Sequence, residues 1–160
     1  PNNNLESLDA LSSSKKLLVL DVANNKIQNT SFKTTVPNFI CLQELYIGGN
    51  TNISDISYLG ADCFKENIVR LNIGGNTKIS ANDVSKYVGG LYKLTWLELY
   101  GLTSDAYVSW ITSTKLPNLQ RLKISYSITD SQRTRIRNSY GWPPASDDGV
   151  MDGIYLDFGA

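Results

Sequence analysis

Apolar residues recur along this chain at the first, fourth and sixth positions of a repeating unit. The units read LLVLDVANNKI from Leu17, LQELYIGGNTNI from Leu42, IVRLNIGGNTKI from Ile68, LTWLELYGLTS from Leu94 and LQRLKISYSIT from Leu119. Their starts step by 25, 26, 26 and 25 residues. Positions four and six alternate with exposed positions, as a strand with one buried face demands. The pattern predicts strands near 17–22, 42–47, 68–73, 94–99 and 119–124. Near-constant unit length lays each strand parallel beside the last, and each pair then needs a return crossover.

The returns read as short helices. Val84, Tyr87, Val88 and Leu91 fall on one helical face, with Ser80 or Asn82 placed to cap its start. Ser104 is placed to cap a helix carrying Tyr107, Val108, Trp110 and Ile111, halted before Pro117. Ile56, Tyr58 and Leu59 suit a shorter helix, and Leu5, Leu8 and Leu11 the helix of an earlier, truncated unit. Residues 31–41, broken by Pro37, form the least regular return. After Asp130 the rhythm breaks. Thr129 and Asp130 are placed to cap a helix through Ile136, Pro143 and Pro144 interrupt, and the apolar spacing returns at Met151, Ile154 and Leu156. Residues 131–160 are read as an irregular sixth unit with a capping strand, in which Tyr155 and Phe158 extend the aromatic end of the sheet.

Three units place asparagine at the ninth position: Asn25, Asn50 and Asn76. A tight turn leaving a strand puts backbone amides inside the stack, where leaving them unpaired is costly. An inward asparagine carries donors and an acceptor. The three are expected to form a ladder bonding the loops of adjacent coils. Leu102 and Ser127 stand at the equivalent later positions, so an altered turn is expected in the fourth unit.

These five units resemble the leucine-rich repeat, L-x-x-L-x-L-x-x-N/C-x-L with a period of roughly 20–29 residues. The spacing is similar to the longer cysteine-containing class, with Asn or Ser where Cys is usual. The resemblance implies an α/β fold: a right-handed solenoid with a curved parallel sheet on its concave face and short helices on its convex face. It implies one domain over 1–160, and a non-catalytic module binding a protein or peptide on the concave sheet. Its rivals are a substrate-recognition region of a larger enzyme or effector, such as a ubiquitin-ligase adaptor, a structural scaffold, and a glycan or lipid binder.

Composition narrows the chemistry. Fifteen basic and fifteen acidic residues cancel, against a dominant nucleic-acid role. No apolar run approaches the roughly 20 residues of a spanning helix. The chain contains no histidine, so a Ser-His-Asp or Cys-His centre cannot form within it. Cys41 and Cys63 read as small buried apolar residues, not zinc ligands. The Gly-Gly-Asn-Thr copies at Gly48 and Gly74 lack the Walker pattern. Asp147, Asp148, Asp152 and Asp157 do not meet a calcium-loop pattern. Asn29 and Asn52 begin Asn-x-Ser/Thr triplets of a kind expected by chance in so polar a chain. No catalytic residue, metal or cofactor is expected. The first residue is Pro, which points to processing or to a piece of a longer chain. A monomer is favoured, and the cytoplasm over secretion or delivery to a host.

Binding is expected on the exposed strand positions. Across strands roughly 4.8 Å apart, Arg70, Trp96 and Arg121 fall in one row. Tyr46, Glu98, Lys123, Tyr100 and Tyr126 surround them. Trp, Tyr and Arg are the types enriched at interface hot spots. The glycines at 48 and 74 predict a bare surface on the second and third units, open to a partner's close approach.

Overall fold

The structure is a computed structural model that describes residues 3–143 and the backbone of 153–157. Phe158, Asp147, Asp148 and Asp152 lie outside the described residues. Six strands form one open parallel sheet in chain order: β1 (Val19–Asp21), β2 (Glu44–Tyr46), β3 (Arg70–Asn72), β4 (Trp96–Leu99), β5 (Arg121–Ser125) and β6 (Gly153–Asp157). Pairing puts Val19, Glu44, Arg70, Trp96 and Arg121 side by side, with Gly153 next to Arg121. With its few short helices, the architecture is α/β and compatible with a solenoid.

The fourth and sixth positions all point to one face. Leu20, Leu45, Leu71, Leu97 and Leu122 are buried there with Val22, Ile47, Ile73, Leu99 and Ile124. The returns pack over that face and close a single apolar core. Burial of this kind is worth about 1.5–3 kcal/mol per large side chain, which is why three-residue strands persist.

The returns mix short α-helices with 3-10 and π-helical turns. The first is α1 (Asn29–Thr35), which runs into a 3-10 turn at Val36–Asn38 where Pro37 stands. The second is a 3-10 turn, Ser57–Gly60, followed by α2 (Asp62–Asn67). The third opens as α3 (Ala81–Asp83), with the Ser80 hydroxyl accepting from the Asp83 amide at 3.1 Å, and widens into π-helix over Val84–Val88. Val84, Val88 and Leu91 are buried on its inner side. The fourth holds only a 3-10 turn, Asp105–Tyr107, in place of the helix expected after Ser104. Leu5, Leu8 and Leu11 likewise form no α-helix; the segment has one 3-10 turn, Asp9–Leu11, and Leu5 is exposed. Short apolar spacings are satisfied by such turns, so spacing alone does not demand a full helix. Among the described residues the one long helix is α4 (Asp130–Tyr140), capped by Thr129 and ended by Gly141 in the left-handed region.

Asn25, Asn50 and Asn76 are buried at the turns leaving β1, β2 and β3. The Asn50 amide group donates to the carbonyls of Val22 (2.8 Å) and Ile47 (2.9 Å), and its oxygen accepts from the Ile27 backbone (3.2 Å). Asn76 donates to Ile47 O (3.0 Å) and accepts from the Asn50 backbone N–H (2.8 Å). The Asn25 oxygen accepts from Leu5 N at 3.1 Å. Leu5 thus stands to Asn25 as Ile27 stands to Asn50.

The expected change of turn in the fourth unit is corrected. The eighth position is left-handed in the first four of the five units, at Asn24, Gly49, Gly75 and Gly101. Glycine carries that conformation without steric cost, so it sets the turn, and the ninth residue only fills it. Leu102 is 2% exposed and packs in the core where the asparagines bond. A second correction concerns Cys41 and Cys63. Both are free and half-buried, and Cys63 packs against the core edge.

Candidate functional site: the outer face of the sheet

The odd strand positions stand on the face away from the core. In the third-position row, Trp96 on β4 lies between the guanidinium groups of its neighbours. Arg70 Cζ is 5.5 Å from the Trp96 ring centroid and Arg121 Cζ is 5.2 Å. The parallel register brings one arginine to each side of the indole, because β3 and β5 flank β4. Trp96, expected as an exposed side chain, is half-buried as a result.

Arg70 is also held from the other side. Its Nη1 lies 3.6 Å from Glu44 Oε1, and the Tyr46 hydroxyl donates to Glu44 Oε2 at 2.7 Å. Desolvation, then the Glu44 carboxylate, holds the Tyr46 phenol above its ordinary range. The Tyr46 hydroxyl and the Glu44 charge in turn hold Arg70 more firmly protonated. Tyr46, Glu44, Arg70, Trp96 and Arg121 therefore form one continuous chain of contacts across four strands.

Glu98 and Lys123 stand opposite each other in the β4–β5 register, and Tyr155 follows in the same row by its backbone position. The Lys123 Nζ lies 4.7 Å from the Tyr100 ring centroid. Tyr100 turns back along the sheet. A Cβ built on Gly74 would stand 2.5 Å from Tyr100 Cδ1, and one on Gly48 2.5 Å from both the Tyr100 hydroxyl and Asn72 Oδ1. The surface over Gly48 and Gly74, expected to be bare, is thus covered by Tyr100 and Asn72. The glycines make room for the molecule's own tyrosine.

Tyr126 stands at the end of β5 and is 55% exposed. Arg133 from α4 stacks on it, with Cζ 5.4 Å from the ring centroid. The same guanidinium donates to the carbonyls of Ile128 (2.7 Å) and Tyr126 (2.9 Å) and pairs with Asp130 at 3.0 Å. Two further residues of this face, Asn72 and Arg133, stand outside the expected binding set. Asn72 is buried with its oxygen accepting from the Gly74 amide at 3.0 Å; its fifth-position place gave no sign of this. Arg133 was signalled only by its helical spacing from Asp130.

The structure brings Tyr46, Arg70, Trp96 and Arg121 into one connected row, Tyr100 and Lys123 into a second group, and Tyr126 into a third with Arg133. The Asn25, Asn50 and Asn76 turns lie inside the stack. The face offers cations held against aromatic rings. Among the described residues no helix is long and apolar enough to cross a membrane. No known protein-family model matches the chain, and a search of curated proteins likewise finds no match.

Proposed function

We propose that this chain is a leucine-rich repeat module, a right-handed solenoid whose outer sheet face is concave. In this reading it is non-catalytic and binds a protein or peptide on that face. The in-register units and the asparagine ladder support the family reading. The Arg70–Trp96–Arg121 stack carries the functional one. Stacked arginines have fewer rotamers left to lose, so a partner meets groups already held in place. The stack joins Tyr46 through Glu44, with Tyr100 and Tyr126 alongside, in the mixture typical of hot spots.

The double variant Trp96→Ala, Arg121→Glu tests the proposal in affinity capture from cells expressing the chain. Partner recovery is expected to fall at least tenfold, about 1.4 kcal/mol, with circular dichroism unchanged. Lys86→Glu, on the helical side, is the matched control. Undiminished capture by a folded double variant would place the partner elsewhere and leave this face structural.

A further inference from the structure

The formal charges of the whole chain cancel, yet on the outer sheet face of β1 to β5 acids lead at one end and bases at the other, with Glu98 on β4 the exception. The acids Asp21 and Glu44 lie on β1 and β2, and the bases Arg121 and Lys123 on β5. Arg70, between them, is engaged by Glu44 at 3.6 Å. Arg121 differs. It is exposed, its guanidinium is fixed 5.2 Å from the Trp96 centroid, and among the described residues it has no carboxylate or hydrogen-bond acceptor of its own. The neighbouring acid Glu98 stands opposite Lys123 in the register, not opposite Arg121.

We infer, on the binding reading above, that Arg121 anchors a carboxylate side chain of an acidic peptide segment. A guanidinium stacked on a ring keeps its in-plane N–H donors available, and their fork matches a carboxylate in two parallel bonds. Trp96 beside it gives flanking apolar residues of the segment a surface. The occupant is a peptide and not a continuous polyanion. A nucleic-acid backbone or an anionic bilayer would also meet Asp21, Glu44 and Glu98 on the same face, at a repulsive cost. A peptide places one or two carboxylates only where the bases stand.

The test uses the labelled chain on arrayed peptides of about twelve residues, comparable to a linear recognition motif. All share one Leu/Tyr frame, interposed with Glu, Gln or Lys. The Glu series is expected to be retained at least tenfold better than the Gln and Lys series. Arg121→Glu should shift the preference to the Lys series. Arg121→Lys should keep the preference but bind several-fold more weakly, since an ammonium cannot form the fork. Lys86→Glu should change nothing. Equal retention of Glu and Gln peptides, or a Glu preference that survives Arg121→Glu in a folded protein, would overturn the inference. Charge-blind binding that Trp96→Ala abolishes would remove this inference and leave the binding face standing. Glu-selective binding lost through Lys86→Glu instead would remove both. Vesicles with one phosphatidylserine in three are run alongside; Arg121-dependent binding to them without peptide binding would also refute it.

Discussion

Asn50 makes three hydrogen bonds from a position with no solvent access, and each ends on the backbone of its own or an adjacent coil. Removing its side chain strands the amide of Ile27 and takes one donor from each of the Val22 and Ile47 carbonyls. Stranding a buried group costs about 1–3 kcal/mol, although Val22 O and Ile47 O keep other donors, Asn25 and Asn76. Asn50→Ala is therefore expected to destabilise the chain by about 3 kcal/mol, read as a fall in urea midpoint at constant m-value. Leu102 makes the comparison from within the same molecule, since an apolar residue is accommodated there by packing. Asparagine at position nine was legible because a polar residue recurring between apolar ones must have bonding work inside a stack. The side-chain course of Tyr100 was not legible. Period-two logic says which face a residue occupies but not which way along the sheet it lies, and Gly74 reads the same whether its surface is open or filled.

The return elements are linked to one another by polar contacts that no strand pattern reveals. Asn29, at the start of α1, accepts through Oδ1 from the amides of Ser54 and Asp55 in the following return, both at 3.0 Å. Lys33 of the same helix pairs with Asp55 Oδ2 at 2.9 Å, and Asp55 Oδ1 accepts from the Ser57 amide at 2.8 Å. Hydrogen bonds from Ser57, then from Lys33, lower the Asp55 carboxyl to about 2. Its folded pKa lies below the unfolded value, so this stabilisation is fully present above about pH 4 and lost as pH falls towards 2. With Lys33 largely at the surface, it amounts to about 1–2 kcal/mol. Asp55→Asn should lower stability by that amount at pH 7, and the two proteins should converge near pH 2 in pH-resolved urea melts. The strands were readable because parallel pairing fixes their alternation over every unit. The returns were not, because Tyr58, Leu59, Val84 and Val88 pack equally well from 3-10, α or π geometry once their side chains reach the core.

At the scale of the molecule, every strand touches only its sequence neighbours, β1 through β6 in order. Stability in such a stack is close to a sum of unit terms and nearest-neighbour terms. The unit from Ile68 to Lys93 is therefore removable in principle as a whole. Leu94 would follow Asn67, Trp96 would come to lie beside Glu44, and Tyr100 would cross Gly48 as it now crosses Gly74. We expect the shortened chain to keep a cooperative melt and a sheet signal in circular dichroism, at a lower midpoint. Excision of half that unit should abolish the melt, since it throws every later leucine out of register. The face would be rewritten even so: Arg121 would keep its tryptophan, while Arg70 would be gone and an acid would stand in its place. In hereditary terms, an in-frame loss or duplication of one unit edits the outer sheet face by a whole row at a stroke, while the core records almost nothing of the change.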